Sequence, residues 1–398
     1  MEAEHWNAWE EYFQPVSGHA YAEDFNNTQL GANIRYFSGK GDFPDLDELH
    51  ADLVILGAGY DSSDLSAPLN DTPNHIRYWL YKLCRGNYQV RILDLGNFGL
   101  RTSLEENCNV LSKVLQGILE RNMIPVVLGG GHEMAYALYL AYARSGRFCN
   151  VCDVNATLDF QEITQELRPG NMLGRILGEK DSFLFHYANL AYQSYFSPPD
   201  LVRLFKEFHF DLIRLGEVRR QMEDAEPVIR DAHTFTINMG AVKYADAPHA
   251  LHATPNGLQS DEICRLARYA GLSQKLSSFG LFGIRPGGDV SWTDHHLAAQ
   301  VIWHLIEGFY NRKEENLDVR HANYLEFTVA LTGFPDQIVF YKNKISEKWW
   351  MAVPIQGKAS DKYGQQEYLV PCALSDYEFA ASGEIPERWI RRFHQLND

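Results

Sequence analysis

The 398-residue chain is poor in cysteine, in positive charge and in long apolar runs. Six cysteines are too few for a disulfide framework. Cys149 and Cys152 form the only C-x-x-C, inside the apolar run Phe148 to Val154 and with no second pair nearby. Buried, inert strand thiols are expected there rather than a zinc or redox site. No apolar run approaches the ~18 residues of a membrane helix. The acidic stretch Met1 to Trp9 has no apolar core of a signal peptide, so the expected location is the cytoplasm. Lys and Arg total 36 against 52 Asp and Glu, a formal net charge of −16. Such a surface repels nucleic acid and anionic membranes, and neither is expected as a partner. The densest basic stretches, Arg214 to Arg220 and Arg388 to Arg392, read as solvated helix faces. There is no internal repeat and no low-complexity tract. The remainder, 45% hydrophobic and 22% charged, is ordinary globular material with enough apolar mass for a large core.

What is present alternates. Leu53 to Leu56 is a fully apolar run closed by Gly57-Ala58-Gly59, the pattern of a buried parallel strand. Thr72-Pro73 then opens a helix carrying Ile76, Trp79, Leu80 and Leu83 at helical spacing. Val90 to Leu93 is the next strand. Ser103-x-x-Glu106 is a capping box before a helix with Leu111, Val114, Leu115 and Ile118 on one face. Ile124 to Leu128 is a strand, followed by Gly129-Gly130-Gly131 and a helical run from Glu133 to Arg144. The alternation continues through strands at Phe148 to Val154, Phe183 to Phe185, Thr234 to Ile237 and Phe279 to Ile284. Helices are expected at Leu201 to Phe208, Asp261 to Tyr269 and Thr293 to Phe309. This order predicts a mostly parallel sheet with helices on both faces. Ligands in such sheets bind beyond the carboxyl ends of the strands. From about Leu325 the chain turns aromatic and β-branched, with turn signals at Gly333 and Pro335. That part reads as an antiparallel appendage. Three segments follow: an N-terminal extension over 1–50, an α/β domain over 51–312 and a β-rich appendage over 313–398.

Gly129-Gly130-Gly131-His132-Glu133 directly follows a strand and opens a helix, which aims His132 into the crevice. With it come Ile76-Arg77, Leu93-Asp94-Leu95-Gly96, Asp246-Ala247-Pro248 and Asn256-Gly257-Leu258, in that order along residues 51–312. On these residues the chain resembles the arginase, agmatinase and formimidoylglutamase superfamily, and formimidoylglutamases most. The resemblance implies a three-layer α/β/α fold. It also implies two Mn²⁺ ions bridged by a hydroxide that attacks a guanidino or amidino carbon. Six ligands are implied: a His after the glycines, an Asp-x-His-x-Asp and an Asp-x-Asp.

Carried over residue by residue, the ligand set is largely missing. His132 is present. The second motif falls on Asn155-Ala156-Thr157-Leu158-Asp159, so Asn155 and Thr157 replace an Asp and a His, and Asp159 remains. The third falls on Asn238-Met239-Gly240, where Asn238 and Gly240 replace two Asp. An acid and an Asn expected at the substrate become Gly283 and Arg285, and a substrate His position falls on Leu173. In a second register Asp153 stands for the first Asp. It scores worse and restores no dinuclear site. One carboxylate in place of four is too little charge for two hard cations. The expectation is no cofactor, with one weakly held Mn²⁺ on His132 and Asp159 as the alternative. The function expected is that of a pseudoenzyme with a binding or assembly role. The alternative is a hydrolase of an amidino or guanidino C–N bond using a single or rebuilt metal site, with His186, His233, His249 and His252 as possible new ligands. A third reading is metal-free binding of a small ligand, with Arg285 attracting a carboxylate. Glu133, Leu173, Gly283, Arg285, His249 and His252 are the expected lining of the remnant pocket. The partner, a protein or a small ligand, is not specified, and the family's trimers and hexamers make a homo-oligomer the prior.

Overall fold

The computed structural model describes residues 6–17, 25–48, 50–58, 71–87, 89–99, 103–285, 291–313, 315, 323–331, 337–356 and 366–397, the side chains of 6–8 excepted. Gly59 at the end of the first apolar run, and Gly333 and Pro335, lie outside them. Ten strands form one sheet: β1 (Phe13–Gln14), β2 (Ile34–Tyr36), β3 (Leu53–Ala58), β4 (Ile92–Phe98), β5 (Ile124–Leu128), β6 (Cys149–Val154), β7 (Leu184–Tyr192), β8 (Asp211–Arg214), β9 (Thr234–Asn238) and β10 (Ser278–Phe282). Their order is β1-β4-β3-β5-β10-β9-β6-β7-β8, with β2 also on β4. Every pairing is parallel except β1 with β4.

The central strands are buried on both faces, which is why they read as unbroken apolar runs rather than alternating ones. Leu53 and Ile55 point into one core with the helices Ser260–Leu272 and Thr293–Tyr310. Val54 and Leu56 point into the other with Leu104–Glu120 and Ala135–Arg144. Alternate residues of one strand thus feed opposite faces, and the result is a three-layer α/β/α sandwich. Leu104–Glu120 begins where the capping box predicts, with Ser103 Oγ accepting from the Glu106 N–H at 3.2 Å. Gly117 in that helix is required: a Cβ there would collide with the Trp9 ring. That contact ties the N-terminal segment down, as do β1 and β2 along the outer edge of β4. Arg77 grips Asp94 through two bonds, at 2.7 and 2.8 Å, with both side chains fully buried.

The C-terminal part is a separate antiparallel sheet, β11 (Tyr324–Ala330), β12 (Gln337–Asn343), β13 (Trp349–Pro354) and β14 (Glu367–Cys372), followed by helices Leu374–Ala381 and Glu387–Asn397. It encloses its own core of Ile338, Phe340, Met351, Val353, Val370 and Trp389. Its tryptophans face inward: Trp350 is buried under Arg230, and Trp349 stacks on Tyr377. Arg388 to Arg392 is not a solvated face. Arg391 pairs with Asp211 at 2.9 Å, and Arg392, buried, pairs with Asp231 at 2.8 Å. These basic residues add countercharge to buried carboxylates that also meet Lys275, at Asp231, and His186, at Asp211. Asp211 and Phe185 lie at the starts of β8 and β7, and Asp231 and Lys275 just before β9 and β10. The appendage therefore docks on the amino edge of the main sheet. Among the described residues no helix is long and apolar enough to cross a membrane.

Candidate functional site: a histidine held between two carboxylates

The carboxyl edge carries the site. The backbone turns through Gly129 and Gly130 with φ of +81° and +80°, and His132 and Glu133 follow in a single 3-10 turn. Gly283 N–H donates to Gly130 O at 2.9 Å, which joins the end of β10 to this turn. His132 is nearly buried, and both its ring nitrogens are engaged. Nδ1 meets Asp159 Oδ2 at 2.8 Å, and Nε2 meets Asp153 Oδ1 at 2.8 Å. Asp153 lies beside Thr236 in the β6–β9 register, so Thr236 Oγ1 also donates to it, at 2.9 Å. Tyr187 Oη donates to its other oxygen at 3.3 Å. Burial alone would favour the neutral imidazole. The two carboxylates outweigh that and raise the His132 pKa well above its ordinary value. The surroundings thus favour the protonated ring between two acids.

The sequence positions implied for two manganese ions do not fit that role. Asp153 and Asp159 sit on opposite edges of the ring, since the two nitrogens point apart, and do not converge on one point. Asn155 Oδ1 accepts from the Thr157 N–H and Oγ at 3.3 Å each, and Thr157 itself is exposed. Asn238 Oδ1 accepts from the Gly240 N–H at 3.0 Å. Each amide thus closes a turn of its own, and the two are not bonded to each other. A Cβ at Gly283, where φ is +83°, would collide with Asn238 Oδ1, so no acid fits there in this backbone. Among the described residues no three His, Cys, Asp or Glu side chains are placed to hold a metal ion. Among the described residues Asp159 Oδ1 is buried without a hydrogen bond.

The remaining expected residues scatter. Glu133 is buried beside Gly131. Leu173 is fully buried and its N–H donates to Asp159 O at 3.1 Å, so it packs beneath the site rather than lining it. His252 is exposed, with φ of +58°. His186 and His233 lie at the amino ends of β7 and β9, on the opposite edge, where His186 meets Asp211 at 3.0 Å and His233 Nδ1 accepts from the Asn150 N–H at 2.9 Å. Neither can reach His132. His249 is at the carboxyl edge, and its Nδ1 meets the fully buried Asp294 at 2.9 Å. Arg285 lies beside it, exposed, its N–H donating to His249 O at 2.9 Å. Cys149 and Cys152 are buried, free thiols, and burial pushes the former's pKa up to about 12. Sequence reasoning gave Asp153 the weaker register and did not find Asp294. The available signal for Asp153 was a lone acid in a strand otherwise buried throughout.

Comparison with known proteins agrees with this architecture. The profile described as "Arginase family" matches residues 51–307. The chain is 25% identical over 253 residues to the formimidoylglutamase of Clostridium tetani, covering 59% of this chain and 75% of that one. It is 28% identical over 244 residues to that of Streptococcus pyogenes, covering 55% and 71%. Among solved structures, Trypanosoma cruzi formiminoglutamase with Mn²⁺ superposes with a TM-score of 0.62 at 20% identity, over 72% of this chain and all of that one. Bacillus subtilis formimidoylglutamase superposes with a TM-score of 0.63 at 17% identity, over 77% and 100%. With most of the α/β sandwich under the profile and the glycine turn, His132 and the Arg77–Asp94 pair in their places, this chain belongs to the arginase family.

Proposed function

We propose that this chain is an arginase-family protein without the family's two-metal hydrolysis, a pseudoenzyme that serves by binding a small ligand or a protein partner. One observation carries the reading: both ring nitrogens of His132, one of which an ion would need, are already taken up in hydrogen bonds to the carboxylates of Asp153 and Asp159. Loss of three of four clustered carboxylates removes the repulsion that a metal-free site would suffer, and a protonated His132 neutralises part of what is left. The appendage, docked on the amino edge, leaves the carboxyl edge to a ligand. A hydrolase using a single ion is the second reading. The unpartnered Asp159 Oδ1 and the relatives' names favour it.

The test is elemental analysis for Mn, Zn, Fe and Ni after purification without chelator and dialysis against excess Mn²⁺. Assays for release of urea, formamide or ammonia from guanidino and amidino compounds accompany it. Less than one tenth of an ion per chain and no product are expected, on the order of a site with no usable ligand pair. One tightly held ion with turnover favours the second reading, and two ions overturn the proposal.

A further inference from the structure

Residues 249–251 run antiparallel to 283–285 just beyond β10. Ala250 bridges Ile284, Leu251 N–H donates to Gly283 O at 2.7 Å, and Arg285 N–H donates to His249 O at 2.9 Å. His249 and Arg285 therefore stand opposite each other on this short ladder, where side chains share a face. The His249 ring is fixed in two ways. Its face lies flat on Trp292, with centroids 3.7 Å apart and planes 9° apart. Its Nδ1 meets Asp294 Oδ2 at 2.9 Å, while its backbone N–H donates to Asp294 Oδ1 at 2.9 Å. Asp294 is fully buried, and among the described residues His249 is its ion-pair partner. With stacking and a buried carboxylate both setting its orientation, the imidazole is held in place before any ligand arrives. Nε2 is the edge left over, and it has no hydrogen-bond partner among the described residues. Arg285 is exposed and has no acidic partner among them either, in a chain with 52 acidic residues against 36 basic ones. A guanidinium with no acidic partner among the described residues, beside a fixed imidazole, presents a planar fork and one further polar edge, the chemistry that recognises a carboxylate.

We propose that Arg285 and His249, the latter oriented by Asp294 and Trp292, form a binding site for a small carboxylate at the carboxyl edge of the sheet. The inference goes beyond the pseudoenzyme reading and does not depend on it, because neither residue touches His132, Asp153 or Asp159. Arg285 engages both carboxylate oxygens, and His249 contacts one of them where its Nε2 carries a hydrogen and donates it. Asp294 acts as a positioning residue through His249.

The experiment follows the imidazole ¹⁵N resonances of the full chain during titration with succinate, in EDTA and at constant ionic strength. The His249 signal is assigned by its loss in His249→Gln. A saturable shift is expected. Arg285→Gln is expected to weaken binding about tenfold or more, and Arg285→Lys, which keeps the charge and loses the fork, to fall between the two. Arg285 is exposed, so these variants keep the fold, and unchanged circular dichroism checks it. A shift that stays linear in succinate, or a midpoint unchanged in Arg285→Gln, overturns the proposal. So does tighter binding of inorganic phosphate than of succinate. Saturation with metal-loaded protein alone would overturn it too, whereas the outcome of the metal analysis by itself leaves it standing.

Discussion

At the scale of single residues the informative event is the exchange of charge between neighbours. Asn155, Asn238 and Gly240 carry no charge at the carboxyl edge, and Asp153 places one beside His132. An imidazolium needs its counter-charges close when water is excluded, and Asp153 supplies the one that faces Nε2. Asp153→Ala is therefore expected to destabilise the protein by roughly 3 kcal/mol, the usual cost of leaving a buried charge with a missing partner. Urea unfolding reads this directly. A loss below about 1 kcal/mol would mean that His132 is comfortable as a neutral ring and that the ion triad is not what holds the turn. His132 and Asp159 were legible in the amino-acid order because the glycine turn and the Asn-Ala-Thr-Leu-Asp stretch survive. Asp153 was legible only as a less favoured register, since pattern cannot tell which of two acids in a strand end meets a histidine twenty-one residues earlier.

At the scale of elements the last helix does more than its amphipathic pattern says. Glu387–Asn397 was expected to show its basic residues to water. Instead Arg392 reaches Asp231 and Arg391 reaches Asp211, on the amino edge of the main sheet. Burial alone would raise the Asp231 pKa. Lys275 and Arg392 outweigh it and depress it to about 2. A carboxylate with a depressed folded pKa contributes stability that is present above its unfolded pKa of about 3.9 and is lost as the pH falls through 2. Arg392→Met removes part of that contribution. The variant is expected to unfold about 3 kcal/mol more easily at pH 7, with the gap to wild type closing between about pH 4 and 2. Denaturant titrations across that range measure it. A gap that stays constant down to pH 2 would assign the loss to packing of the arginine stem against Phe185 and Tyr368 rather than to charge.

At the scale of the molecule the two edges of the sheet have separate uses. The amino edge is covered by the appendage, and the carboxyl edge holds the glycine turn, the caged His132 and the His249–Arg285 ladder. On the proposed metal-free reading the fold gains nothing from ions. Its thermal midpoint is expected to be the same within about 1 °C in EDTA and in millimolar Mn²⁺, because only a ligand that binds the folded state shifts the equilibrium. A site filled at a hundredfold excess over its dissociation constant would add about 2.7 kcal/mol, which a melting curve resolves easily. A clear upward shift in Mn²⁺ would show that Asp153 or Asp159 gives up its bond to His132 for an ion.

Local order was readable before any coordinates. Strands buried on both faces must be apolar throughout, helices beside them must be apolar on one side, and a run of glycines after a strand must turn. Those constraints act within a few residues, and they placed the alternating elements, the antiparallel end piece and His132 at a strand's carboxyl end. The residues at the implied ligand positions were readable too, because they are a matter of residue identity at fixed spacing. Partner choice was not. His132 with Asp153, His249 with Asp294 and Arg392 with Asp231 are separated by 21, 45 and 161 residues. Their meeting depends on which strands are neighbours in a parallel sheet and in what register. That is set by the packing of the whole sandwich, and local periodicity carries no record of it.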